Sequence, residues 1–254
     1  MLRRLWFGVC VLLVCALVPR AHADEVLFLG PTFIPDPAVF PGYEQTVEKL
    51  YLEPLGFPAN GTVDTLITPE SPDFGPSIQQ GVTDLVNAVE ADYTAGTIGP
   101  GDPLTITAYS QSTVIASEAM PILYNYGIPS DDLNFVLLGD AASLTGILSS
   151  PLGETVDDLL GWSYLNGVTT PTDLYPVDVV VEPGDFWADT SADTTVGELI
   201  EGFFSHGDYH GVPESVVHAA LADGVTDGMV TTYTLPVTDL IETLIQTALN
   251  DLGL

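Results

Sequence analysis

Asp102-Pro103-Leu104-Thr105-Ile106-Thr107-Ala108-Tyr109-Ser110-Gln111-Ser112-Thr113-Val114-Ile115-Ala116 changes its hydrophobic period half-way along. Leu104, Ile106 and Ala108 alternate with Thr105 and Thr107, the two-residue period of a strand. Val114, Ile115 and Ala119 then take up helical spacing. Ser110 falls on the turn between the two. A serine held at a tight strand-to-helix turn stands above the sheet, and the following N–H points into the same space at the positive end of a helix. That is the geometry of a nucleophile elbow, although Ala108-Tyr109-Ser110-Gln111-Ser112 keeps only small residues where Gly-x-Ser-x-Gly carries glycines. The alternative is that Ser110 simply caps the helix by accepting the N–H of Ser112 or Thr113.

On either side of this stretch, strand-like runs at residues 26–29, 63–67, 104–108, 135–138 and 177–181 alternate with helical stretches at 42–55, 77–93 and 112–126. Such alternation predicts an α/β fold, a mostly parallel central sheet flanked by helices on both faces. Pro121 is expected to kink the third helix. In an open parallel sheet, ligands gather beyond the carboxyl ends of the strands. Three strand ends matter here: Leu29 runs into Gly30-Pro31-Thr32, Ala108 into Ser110, and Val181 into Glu182-Pro183-Gly184-Asp185. They are expected to converge on one crevice.

Residues 1–23 read as a secretory signal peptide. Arg3 and Arg4 form the charged region, residues 5–18 the apolar region, and Ala21-His22-Ala23 the cleavage site. The exported unit, residues 24–254, is expected to be a single domain acting outside the cell or in its envelope. Both cysteines, Cys10 and Cys15, lie in the leader, so the exported part carries neither a disulfide nor a thiol nucleophile. The chain has 4 basic and 35 acidic residues and a net charge of −31. With Arg3, Arg4 and Arg20 removed, Lys49 stands alone against all the carboxylates. Nucleic acid is excluded as a partner, because nothing could displace counterions from phosphate. No Asp-x-Asp-x-Asp-Gly loop marks a calcium site.

A serine hydroxyl needs a positioned base, which an acid orients. Beyond the leader the histidines are His206, His210 and His218, all following Asp185, so any triad runs Ser, Asp, His, the order of an α/β-hydrolase. His218 lies in a helical stretch that suits packing. His206 and His210 lie in a glycine-punctuated loop that can reach into a site. Asp185, Asp189 and Asp193 compete for the acid's role.

These residues resemble the PE-PPE domain family of actinobacterial, mainly mycobacterial, serine hydrolases, which are related to cutinases and adopt an α/β-hydrolase fold. The resemblance runs from about Val26 to Ile245. The family's Gly-Tyr-Ser-Gln-Ser elbow is similar to residues 108–112, with Ala108 in place of the first glycine. This implies Ser110 as nucleophile and the Gln111 N–H as an oxyanion donor. Its Gly-Gly-Thr loop resembles Gly30-Pro31-Thr32 and implies Thr32 as the second donor, with Pro31 removing one N–H. Its Tyr-Asp-Gly-Ile-Ala-Asp-Phe-Pro segment is similar to residues 184–189 and implies Asp185 as the orienting acid, with Gly184 where the aromatic stands. Its His-Gly-x-Tyr looks like His206-Gly207-Asp208-Tyr209, which favours His206 over His210. Leu138-Gly139-Asp140, Thr170-Pro171-Thr172 and Thr231 to Pro236 match further.

The resemblance implies a secreted carboxylesterase that acts on acyl esters or lipid-like substrates through an acyl-enzyme, with no cofactor and no metal. The same triad would serve an acyltransferase that esterifies a sugar or lipid hydroxyl of the envelope. The departures at Ala108, Pro31 and Gly184 leave a third reading, a non-catalytic envelope protein that binds lipid or a partner. Residues 141–173, with Ile147-Leu148, Leu159-Leu160 and Trp162, are read either as an acyl-binding wall or lid or as ordinary core. The last stretch, 238–252, reads as an amphipathic helix that packs on the sheet.

Overall fold

The computed structural model describes residues 25–57, 63–150, 153, 167–190, 202, 206–207 and 209–236. Residues 1–24 with the two cysteines, Leu159-Leu160, Trp162, Asp193, Asp208 and the 238–252 stretch lie outside the described residues.

Seven strands form one sheet: β1 (Val26–Leu29), β2 (Val63–Thr65), β3 (Leu104–Tyr109), β4 (Leu133–Leu138), β5 (Val177–Val181), β6 (Val225–Asp227) and β7 (Val230–Thr234). They are ordered β2-β1-β3-β4-β5-β7-β6. Every neighbouring pair is parallel except β6 with β7. This is the α/β-hydrolase fold class the sequence implied. The β6–β7 hairpin was not anticipated: β6 is exposed along its length, and Val-Thr-Thr-Tyr-Thr in β7 is rich in threonine, so neither shows a strong apolar period. Its local signal was Asp227-Gly228, with Gly228 at φ 62°.

The alternation along each strand sorts the core into two layers. Leu104, Ile106 and Ala108 of β3, with Leu133, Phe135 and Leu137 of β4, face α3 (Phe74–Ala95) and α4 (Gln111–Tyr126), against Leu85, Val89 and Ile115. Tyr109, Val136, Leu138 and Val180 face the opposite way. There they meet a helix that begins as α1 (Tyr43–Val47), passes through a π-helical turn (Glu48–Leu52) and ends as α2 (Glu53–Leu55), together with α5 (Glu214–Ala220). A proline at 54 cannot donate to the ladder, and the wider turn precedes it, with Glu53 N–H bonded to Glu48 O. On the first face, α3 approaches α4 closely at Gly81, where an added Cβ would lie 2.3 Å from Ile115 Cδ1. Helix α4 runs on through Pro121 to Tyr126, with the proline on its exposed side. Among the described residues, no helix is long and apolar enough to cross a membrane.

Candidate active site

Strand β3 ends at Tyr109, and α4 starts at Gln111, leaving Ser110 alone on the turn. Its backbone is at φ 60°, ψ −123°, a conformation L-residues rarely hold and one that projects the side chain off the sheet. Ser110 occupies the N-cap position, but its hydroxyl makes no capping bond. It lies instead 2.7 Å from His206 Nε2. The capping alternative is thereby set aside.

The small residue at 112 has its own reason. Ser112 is fully buried; its Oγ accepts the Tyr109 N–H at 2.9 Å, and its proton is shared between Tyr109 O at 2.9 Å and Leu29 O at 3.1 Å. It thus ties the elbow to the end of β1, contacts that a second glycine would not supply.

Asp185 is delivered by a turn. Asp185 N–H bonds to Glu182 O at 3.0 Å, with Pro183 and Gly184 at the corners and Gly184 at φ 79°. Position i+2 of such a turn demands glycine, which accounts for Gly184 where the family has an aromatic. The Asp185 carboxylate is fully buried and well supplied with donors. His206 Nδ1 lies 2.9 Å from both oxygens, the Trp187 N–H donates at 2.8 Å and the Tyr209 hydroxyl at 2.7 Å. Tyr209 in turn accepts the Glu182 N–H at 3.0 Å, and burial pushes its own phenol pKa up, so it stays a donor. Asp189 turns away, its carboxylate accepting the Gly184 N–H at 2.9 Å.

His206 is held from its backbone as well as its ring. Its N–H bonds to Gly202 O at 3.1 Å, and the same oxygen accepts the Phe186 N–H at 3.2 Å. Its carbonyl accepts the Tyr109 hydroxyl. Beneath the ring lies Gly139, at φ 65°, where a Cβ would stand 3.0 Å from His206 Cε1. This gives Leu138-Gly139-Asp140 a physical role: the strand must end on a residue without a side chain for the imidazole to sit there. His210 lies apart, its ring 4.0 Å from that of Tyr43, and burial lowers its pKa to about 4. His218 sits on α5 with Nε2 3.3 Å from Lys49 O, a packing contact.

Thr32 and Gln111 come together over the elbow. The Gln111 side chain, which the sequence reading did not use, donates from Nε2 to Thr32 Oγ1 and to Ser71 O, both at 3.0 Å, and accepts the Ser77 hydroxyl at 2.6 Å. Thr32 lies in a turn closed by Ile34 N–H to Pro31 O at 2.9 Å, so Pro31 serves as an acceptor there despite lacking an N–H.

A cavity of about 450 Å³ opens beside Ser110. Its apolar wall includes Phe74 and Ile78 from α3, Val114 from α4, Ile147 and Leu148 after β4, and Trp187. Ile147 and Leu148 therefore serve as pocket wall and core at once. Behind the pocket, the buried Asp140 carboxyl accepts the Thr170 hydroxyl and, at 3.0 Å, the Ala142 N–H. Among the described residues, no three His, Cys, Asp or Glu side chains gather as a metal site.

A sequence model of the PE-PPE domain matches residues 52–251. The chain belongs to the PE-PPE domain family. The match leaves β1 and the Gly30-Pro31-Thr32 loop of this PE-PPE protein outside, although the motif resemblance runs back to Val26. No curated protein matches the chain. Among solved structures, an acetylxylan esterase aligns at 13% identity and TM-score 0.45, over 80% of this chain and 97% of its own. A cutinase-like protein from Cryptococcus sp. aligns at 16% identity and TM-score 0.44, over 78% and 96%. Lysin B from Mycobacteriophage D29 aligns at 16% identity and TM-score 0.37; this PE-PPE chain spans 49% of that protein, using 50% of its own length.

Proposed function

We propose that this PE-PPE domain is an exported serine carboxylesterase acting on acyl esters of apolar character, with Ser110 as nucleophile, His206 as base and Asp185 as orienting acid. The observation that carries the reading is the continuous hydrogen-bonded chain from Asp185 through both ring nitrogens of His206 to Ser110 Oγ. A serine used only for structure needs neither the imidazole nor the buried acid behind it.

In this mechanism His206 Nε2 takes the hydroxyl proton as Ser110 Oγ attacks the ester carbonyl. Asp185, held by Trp187, Tyr209 and the ring itself, keeps the Nδ1 proton in place and stabilises the imidazolium. The carbonyl oxygen gains charge as the tetrahedral intermediate forms. The N–H groups of Gln111 and Thr32, which have no acceptor among the described residues, are disposed to receive it. Thr32 Oγ1 already accepts from Gln111 Nε2, so its own proton is free to serve as a third donor. His206 then protonates the leaving alcohol, and water, activated by the same base, releases the acid.

The wall of Phe74, Ile78, Val114, Ile147, Leu148 and Trp187 favours an acyl chain over a charged group. Residues 1–23 are assigned as the export signal and 24–254 as the catalytic domain. The test is hydrolysis of p-nitrophenyl esters of increasing chain length by the secreted protein, with and without an added alcohol. Release of free acid supports the hydrolase. Transfer to the alcohol in preference to water would make the protein an acyltransferase, and absence of turnover on every ester would contradict the reading.

A further inference from the structure

Among the described residues, three that are not glycine hold positive φ: Phe33 at 71°, Glu70 at 42° and Ser110 at 60°. Each is a backbone conformation that L-residues rarely hold, and such strain persists only where the surroundings over-determine it. All three belong to one hydrogen-bonded unit. Phe33 N–H bonds to Glu70 O at 2.8 Å. Gln111, next to Ser110, bonds to Thr32, next to Phe33, and to the carbonyl of Ser71, next to Glu70. Ser71 N–H bonds to Ser77 Oγ at 2.9 Å, and Ser77 returns to Gln111. Residues 68–71 therefore form a strap, and two successive carbonyls of the strap hold both sides of the oxyanion loop.

Glu70 is the anchor of that strap. It is 1% exposed, Oε1 accepts the Thr68 hydroxyl at 2.7 Å, and Oε2 is buried without a partner. Among the described residues no charged side chain acts on it, whether from its own loop, from the Thr32 turn or from the starts of α3 and α4. Burial raises its pKa to about 7, and the Thr68 hydroxyl is the one group that lowers it. A charged carboxylate in such a place would need a water or a donor that the packing does not supply.

We propose that Glu70 is a positioning residue for the oxyanion loop: as a neutral acid it keeps the 68–71 strap, and through it Phe33, Thr32 and Gln111, in register with Ser110. The proposal rests on the esterase reading of the site. When Glu70 loses its proton, the strap has to open toward water, and the carbonyls of Glu70 and Ser71 move with it. The loss then falls on the step that develops oxyanion charge, so kcat drops while KM barely changes.

The experiment is the pH dependence of kcat and KM for p-nitrophenyl butyrate hydrolysis, from about pH 5.5 to about pH 9.5, in the wild type, Glu70→Gln and Thr68→Val. In the wild type, kcat is expected to fall at least about fivefold above neutrality with KM steady within about twofold, as for a group lost only from the transition state. Glu70→Gln should abolish that falling limb. Thr68→Val, which removes the hydroxyl that lowers the carboxyl's pKa, should move the limb to higher pH, and it decides the matter if Glu70→Gln does not fold. A wild-type kcat that stays level or climbs through this range, or a limb unmoved in both variants, would overturn the proposal while leaving the esterase intact. A wild type without any ester turnover would overturn instead the reading beneath it.

Discussion

His206 Nε2 stands 2.7 Å from Ser110 Oγ across 96 residues of chain, while His210, four residues further on, stacks against Tyr43. The two histidines share a loop but not an environment. Replacing His206 by Ala should lower ester turnover by several orders of magnitude, since triad members act as a unit. His210→Ala should retain activity within about tenfold, because only packing against the pocket rim is lost. Steady-state kinetics on one p-nitrophenyl ester separates them, and the reverse ranking would move the base to His210.

The acid loop gives a similar contrast. Asp185→Asn keeps the shape but offers His206 Nδ1 an amide that can stabilise the wrong tautomer, so kcat should fall by about 10³ or more. Asp189→Asn should be mild, since that side chain serves only the Gly184 N–H. Tyr209→Phe removes one donor to the Asp185 carboxylate together with the hydroxyl that accepts the Glu182 N–H. The expected cost is about 2 kcal/mol of stability, measured by urea unfolding, with a kcat loss near tenfold.

Glu70 also links stability to pH. Its folded pKa is raised from 4.5 to about 7, so its contribution is complete below the unfolded value and is lost as pH rises through that interval. The loss should reach on the order of 3 kcal/mol by pH 7.5. Urea midpoints of the wild type and Glu70→Gln, followed from about pH 4.5 to about pH 7.5, should converge or cross toward the upper end, with the wild type losing ground. Parallel curves would mean that Glu70 is ionised at no cost.

Beyond residue 23, Lys49 is the sole lysine or arginine, and its 2.6 Å pair with Glu214 is exposed. Repulsion among the carboxylates is therefore screened only by salt. The melting temperature should rise between about 10 mM and about 500 mM sodium chloride, over which the screening length shrinks severalfold. A salt-independent value would show that the acids are spaced too far apart to interact.

Much of this was legible because local chemistry and global fold agree. The change of period at Ser110 marked the elbow, and the alternation of Leu104, Ile106 and Ala108 predicted a strand with helices over it. Three histidines beyond residue 23 left few candidates for a base, and Glu182-Pro183-Gly184-Asp185 after Val181 marked the strand-end loop that carries Asp185. What stayed hidden depends on contacts made only after folding. Nothing local assigns the Tyr209 hydroxyl to Asp185, the Gln111 amide to Thr32, or burial to Glu70, because each partner lies 24 to 79 residues away or owes its state to the surrounding packing. The β6–β7 hairpin escaped for a different reason: its pairing rests on backbone bonds and threonine side chains rather than on an apolar stripe.

Whether Ser110 is an activated nucleophile is read out by treating the intact protein with a fluorophosphonate and mapping the adduct by peptide mass spectrometry. An activated Ser110 gives one phosphonyl adduct, on the peptide carrying Ser110, absent in Ser110→Ala and strongly slowed in His206→Ala. An unlabelled wild type, or a label on another serine that persists in Ser110→Ala, would contradict that role.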